Sequence, residues 1–185
     1  MSENKPMKAN DILTFWFEEL TPRDWFKKSN TLDSQIKERF ADTLEAASRG
    51  ECWQWRTTAK GRLAEIIVLD QFSRNIYRDT PRAFSQDPMA LVLAQEAVKH
   101  EADKHVNADE KAFLYMPYMH SESRLIHEQA MTLFDQPGLE NNYKYEVKHK
   151  EIIDRFGRYP HRNVAMGRES TEDEPEFLKQ PGSSF

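Results

Sequence analysis

The stretch LAEIIVLDQF, residues 63–72, constrains the fold more than any other. At helical spacing it is apolar on almost every side, and a helix of that kind needs packing partners all round it. No other part of the chain offers a sheet. There is no alternating apolar and polar run bounded by Asn-Gly or Asp-Gly turns. The central helix, expected over about 58–73, must therefore be surrounded by other helices.

Start and stop signals supply them. Asn10 or Asp11 can cap DILTFWFEEL, which Pro22 ends. Leu32, Ile36, Phe40 and Leu44 recur every four positions in a helix over 30–49, with Gly50 at its end. Residues 74–86 read as a connection containing Pro81, and Asp87-Pro88 reads as a cap followed by proline at the first helical position. Asn107 and Glu110 have the spacing of a capping box, and Pro117 should end or kink the helix they open. Ser121 can cap the next helix, with Glu122 in its first turn. The last long helix runs over about 141–156, closed by Gly157 and Pro160. A short helix near 171–179 and a frayed 180–185 complete the chain. The expectation is a single all-α domain over 1–185, with about eight helices packed as antiparallel pairs.

Composition narrows the function. A net charge of -5 argues against general nucleic-acid binding, which rewards a basic face. No run approaches the roughly 20 apolar residues of a spanning helix, and MSENKPMKAN lacks the apolar core of a signal peptide. Cys52 is the single cysteine, so no internal disulfide can form; a buried thiol in a cytoplasmic protein is expected. His127-Glu128 begins like a metalloprotease signature, but position 131 is methionine. No metal or cofactor is expected. The tryptophans, with Phe15, Phe17 and Phe26, read as core.

Against this acidic background RFGRYPHRN, residues 155–163, holds three arginines and a histidine with no acid. Gly157 and Pro160 explain its breaks, and Arg155 suits a helix C-terminus. Arg158, His161, Arg162 and Asn163 have no local structural purpose. Arginine is the residue of choice for two-point recognition of carboxylate or phosphate. Upstream, Asp70 and Arg74 are four apart and can pair, and Arg78 is four further on. His120 precedes a helix start and is not explained by capping.

Three blocks, LDQFSRNIYR (69–78), MPYMHSE (116–122) and RFGRYPHRNVAMGREST (155–171), together with FWF (15–17), resemble the DUF924 family of mostly bacterial proteins without an assigned activity. Ser73 stands where the family often has proline, and Ala165 where it often has leucine. The resemblance implies an all-α, tetratricopeptide-like α-α superhelix and no particular reaction. The family's motif positions fall on Asp70, Gln71, Arg74, Asn75, Arg78, His120, Glu122, Arg155, Gly157, Arg158, His161, Arg162, Asn163, Gly167 and Arg168.

Three readings follow. In the first, residues 70–78, 120–122 and 155–168 form a pocket for a small anionic molecule. Asp70, Gln71, Arg74, Asn75, Arg78, His149, Arg155, Arg158, Arg162, Asn163 and Arg168 would hold the ligand, and His120, Glu122 or His161 would move protons. In the second, a helical-repeat surface clamps an acidic peptide or a C-terminal carboxylate. In the third, the arginines pair internally with Glu65, Asp70 and Glu122 and brace the tail. The sequence leaves the oligomeric state open.

Overall fold

The computed structural model describes residues 7–185, so residues 1–6 of the stretch judged to lack a signal-peptide core lie outside it. Among the described residues the regular structure is helical throughout, as the patterning requires. Helix α1 (Ala9–Thr14) runs on through a π-turn (Phe15–Glu19) to a break before α2 (Pro22–Phe26). The first cap differs from expectation. Asp11 sits in the first turn, where its carboxylate accepts from the Lys8 N–H.

Helix α3 (Asn30–Ser48) is capped by Ser29, whose side chain accepts from the Leu32 N–H. The central element is longer than expected. Helix α4 (Ala59–Ile67) passes through a π-turn (Val68–Phe72) into α5 (Ser73–Ile76), so Arg74 and Asn75 are helical rather than part of a connection. Every residue from 63 to 73 is buried, and α4 packs against α1, α6 (Asp87–Lys99) and α7 (Ala108–Met119). Gly61 permits the entry of α4: a Cβ there would stand 1.9 Å from the Trp55 carbonyl oxygen. Phe15, Phe40 and Phe72 pack against one another in tilted and edge-to-face arrangements, and Trp16 meets Phe72 and Phe113. Phe26 and Trp53, expected in the core, are largely exposed.

Helices α7, α8 (Arg124–Phe134) and α9 (Glu140–Phe156) pack in sequence order through short loops. The Asn107–Glu110 capping box forms reciprocally. Pro117 lies inside α7 without ending it. Ser123 occupies the cap of α8, which places Glu122 outside the helix and frees it for other work. Gly157 ends α9 in the left-handed conformation, at φ +71°. Two short helices, α10 (Asn163–Met166) and α11 (Glu174–Phe177), follow. In the segment expected to fray, Ser183 is buried and the Phe185 ring lies on His149.

Candidate functional site

The π-turn of the central helix delivers Asp70 and Gln71, and such turns insert an extra residue where a side chain must be re-aimed. Asp70 is fully enclosed, and a carboxylate there must be matched by donors. It is: His120 Nδ1 lies 2.7 Å from Oδ1, Gln71 Nε2 donates to Oδ2 at 2.7 Å, and Arg74 donates at 3.3 Å. Burial pushes the Asp70 carboxyl up, but His120, Arg74 and these hydrogen bonds outweigh it and hold the group ionised. An ionised carboxylate only accepts, so His120 Nδ1 carries the proton. His120 Nε2 is then the basic nitrogen; it meets no protein partner and is not sealed from solvent. Burial, and then Arg74, push the His120 pKa down despite Asp70. The lowered pKa favours the neutral ring at neutral pH.

Asp87 is the residue that sequence reasoning misplaced. Gln86 occupies the cap position of α6, and the Asp87 carboxylate instead takes two hydrogen bonds from Arg74, at 2.6 and 2.9 Å. The Asp-Pro start signal accounted for Asp87 so completely that nothing local marked a second role. Arg162 approaches the same carboxylate at 3.6 Å and donates to the His120 carbonyl at 2.9 Å. Its guanidinium stacks on Phe84 (4.6 Å) and Tyr159 (4.7 Å), and its Nε is buried with no partner. Burial and the neighbouring Arg74 charge lower its pKa to about 10.

The three sequence blocks therefore meet, but not all their cations face one centre. Arg78 and Asn75 both donate to Asp33 on α3. Arg158 makes a two-point pair with buried Glu174, which also accepts from Asn163 Nδ2. Arg168 makes a two-point pair with Glu122, and Glu122 Oε1 accepts the Tyr159 N–H. Glu65, expected to face these arginines, pairs with Arg56 instead. Arg155 is exposed and stacks on Phe156. It borders a surface hollow of about 450 Å³ where Arg158 is already matched by Glu174 and Asp173 lines the wall.

A second layer lies behind Arg162. Tyr159 is enclosed by His149, His161 and His127. Its hydroxyl donates to the Met119 carbonyl at 2.5 Å. His127 Nδ1 lies 2.6 Å from Glu146, and its Nε2 lies 2.6 Å from the Ser121 carbonyl. The glutamate Oε2 has no partner, and burial raises the pKa of that carboxyl. His149 donates from Nδ1 to the Tyr145 carbonyl.

The family model described as "Bacterial protein of unknown function (DUF924)" matches residues 12–182. The chain belongs to this family. A solved structure of a protein of unknown function from Agrobacterium tumefaciens is similar at 36% identity. The match covers 92% of this chain and 96% of that one, with a TM-score of 0.87. No curated protein matches. The family match spans all three blocks, so the Asp70–His120 and Arg74–Asp87–Arg162 contacts fall within the shared region. Among the described residues no helix is long and apolar enough to cross a membrane, and no group of three or more His, Cys, Asp or Glu side chains could hold a metal. Cys52 is buried, and burial raises its thiol pKa to about 11.

Proposed function

We propose that this protein binds a small anionic ligand at Arg162 and Arg74, beside the Asp70–His120 pair, and that His120 Nε2 exchanges a proton with it. The observation that carries the reading is the state of Arg162. A buried guanidinium with an unpartnered Nε is costly to maintain. The other motif arginines show that this chain can satisfy such groups fully, as Arg158 and Arg168 are satisfied. Arg162 is held instead by two aromatic faces, one carbonyl and a 3.6 Å approach to an Asp87 carboxylate already bonded twice by Arg74, next to a histidine whose tautomer is set by a buried carboxylate.

Charge supports a proton-linked ligand. With His120 neutral, Arg74 and Arg162 are balanced by Asp70 and Asp87. An entering anion adds one negative charge, and protonation of His120 restores the balance. Glu122 is committed to Arg168 and the Tyr159 amide, which favours His120 over it as the proton carrier. Arg74 and Arg162 converge on a single point at Asp87, while Arg78, Arg158 and Arg168 are each spent on a separate internal carboxylate. That arrangement suits a compact ligand better than an extended acidic peptide, which needs cations spaced along a groove.

The test is a panel of inorganic phosphate and small phosphorylated and carboxylate metabolites, read by thermal shift on the parent, Arg162→Ala and His120→Gln. A bound ligand stabilises by mass action. The expected result is a hit lost in Arg162→Ala and weakened in His120→Gln. A hit that survives Arg162→Ala unchanged rejects the reading.

A further inference from the structure

His149, Tyr159 and His161 form a ring-lined platform directly behind Arg162, and Phe185 covers it. The Phe185 ring lies on the His149 imidazole at 3.8 Å and 24°, and meets His161 (5.4 Å) and Tyr159 (6.2 Å) edge to face. Two features show that this cover is a poor match. Phe185 stays 52% exposed, so much of its apolar surface gains nothing from the contact. His161 Nδ1 is buried without a hydrogen-bond partner, and a phenyl ring can offer it none.

We propose that this platform binds a planar heteroaromatic ring carrying an anionic group, the class to which nucleotides belong, and that the ligand displaces Phe185. The proposal rests on the anion site described above and extends it. The span fits. The Arg162 guanidinium is 4.7 Å from the Tyr159 ring centre, and that ring is 6.2 Å from Phe185, so the guanidinium and the Phe185 ring are separated by no more than these two distances combined. A nitrogen-bearing ring supplies the partner that His161 Nδ1 lacks. Both histidines are also kept neutral, chiefly by burial, with pKa values pushed down to about 3 for His149 and about 4 for His161. Neutral rings stack on a heteroaromatic face without trapping charge there.

The test is calorimetric titration of the full chain and its Phe185→Ala and Arg162→Ala variants with adenosine monophosphate, adenosine, phenyl phosphate and inorganic phosphate. Phe185 acts as an internal competitor, so removing it raises the fraction of open platform. The expected result is an affinity gain of about tenfold for adenosine monophosphate in Phe185→Ala, a smaller gain for phenyl phosphate, and none for phosphate. Unchanged or weaker nucleotide binding in Phe185→Ala overturns the platform. If phosphate binds while the nucleotide binds no better in that variant, the platform falls and the anion site stands. If adenosine binds equally to the parent and Arg162→Ala, and phosphate to neither, the anion site falls and the ring platform stands alone. No binding by any probe removes both.

Discussion

Replacing Arg162 and replacing Arg158 should have very different consequences, although the two arginines are four residues apart in one segment. Arg158→Ala strips a two-point partner from Glu174, a carboxylate 1% exposed. Asn163 and the Thr171 N–H still donate to it and solvent reaches the Arg158 side of the pair, so the carboxylate is only partly abandoned, but the loss should still exceed that for Arg162→Ala. Arg162→Ala removes one hydrogen bond to the His120 carbonyl, worth about 1 kcal/mol. It also removes stacking on Phe84 and Tyr159, worth about 1 kcal/mol for each face when desolvated. Against this it relieves a buried, unpartnered Nε, worth about 1–2 kcal/mol, and the repulsion from Arg74. The lost 3.6 Å approach to Asp87 is set against the relieved repulsion from Arg74, and Asp87 keeps both hydrogen bonds from Arg74. The net cost should be about 1 kcal/mol. Urea denaturation with unchanged slope m reads both values. A loss for Arg162→Ala equal to that for Arg158→Ala would mean that Arg162 is a structural brace, and the argument for a ligand would fail.

Other expectations are as direct. His149 and His161 have folded pKa values of about 3 and about 4, below the ordinary value of about 6.5. The unfolded chain therefore takes up protons first, and stability is lost as pH falls below about 6.5. At pH 5 His149 alone should cost about 2 kcal/mol, and denaturation of His149→Gln across pH 7 to 5 should show a correspondingly flatter slope. Anion binding should draw a proton onto His120, so calorimetry in buffers of different ionisation enthalpy should show proton uptake in the parent and none in His120→Gln. Gly61→Ala places a Cβ 1.9 Å from a backbone oxygen and should cost about 3 kcal/mol or more, which a thermal melt reads as a drop of roughly 6–12 °C for a chain of this size. An unchanged melt would mean that the entry of α4 can shift freely.

Much of the fold was legible because its signals are local. The all-round apolar character of residues 63–72 dictated a central helix, and the structure buries every one of them. The capping box at Asn107 and the left-handed Gly157 are written in adjacent residues. Boundaries failed where a competing use was available. Asp87 carries a cap's sequence signature but gives its carboxylate to Arg74, thirteen residues away. Glu122 was read as a first-turn acid, yet it answers Arg168, 46 residues away. The π-turn at 68–72 has no compositional signature at all.

The sequence by itself determined that the chain is helical and acidic, and that its basic and histidine residues concentrate in three blocks. It could not determine which arginine is left incompletely matched. That choice depends on where Asp33, Asp87, Glu122 and Glu174 come to rest, and each of the four partners lies at least eleven residues from the arginine or asparagine it meets. Periodicity and capping act over a turn of helix, whereas ion pairing depends on distance in space. Only tertiary packing could satisfy Arg78, Arg158 and Arg168 and leave Arg162 incompletely matched beside His120.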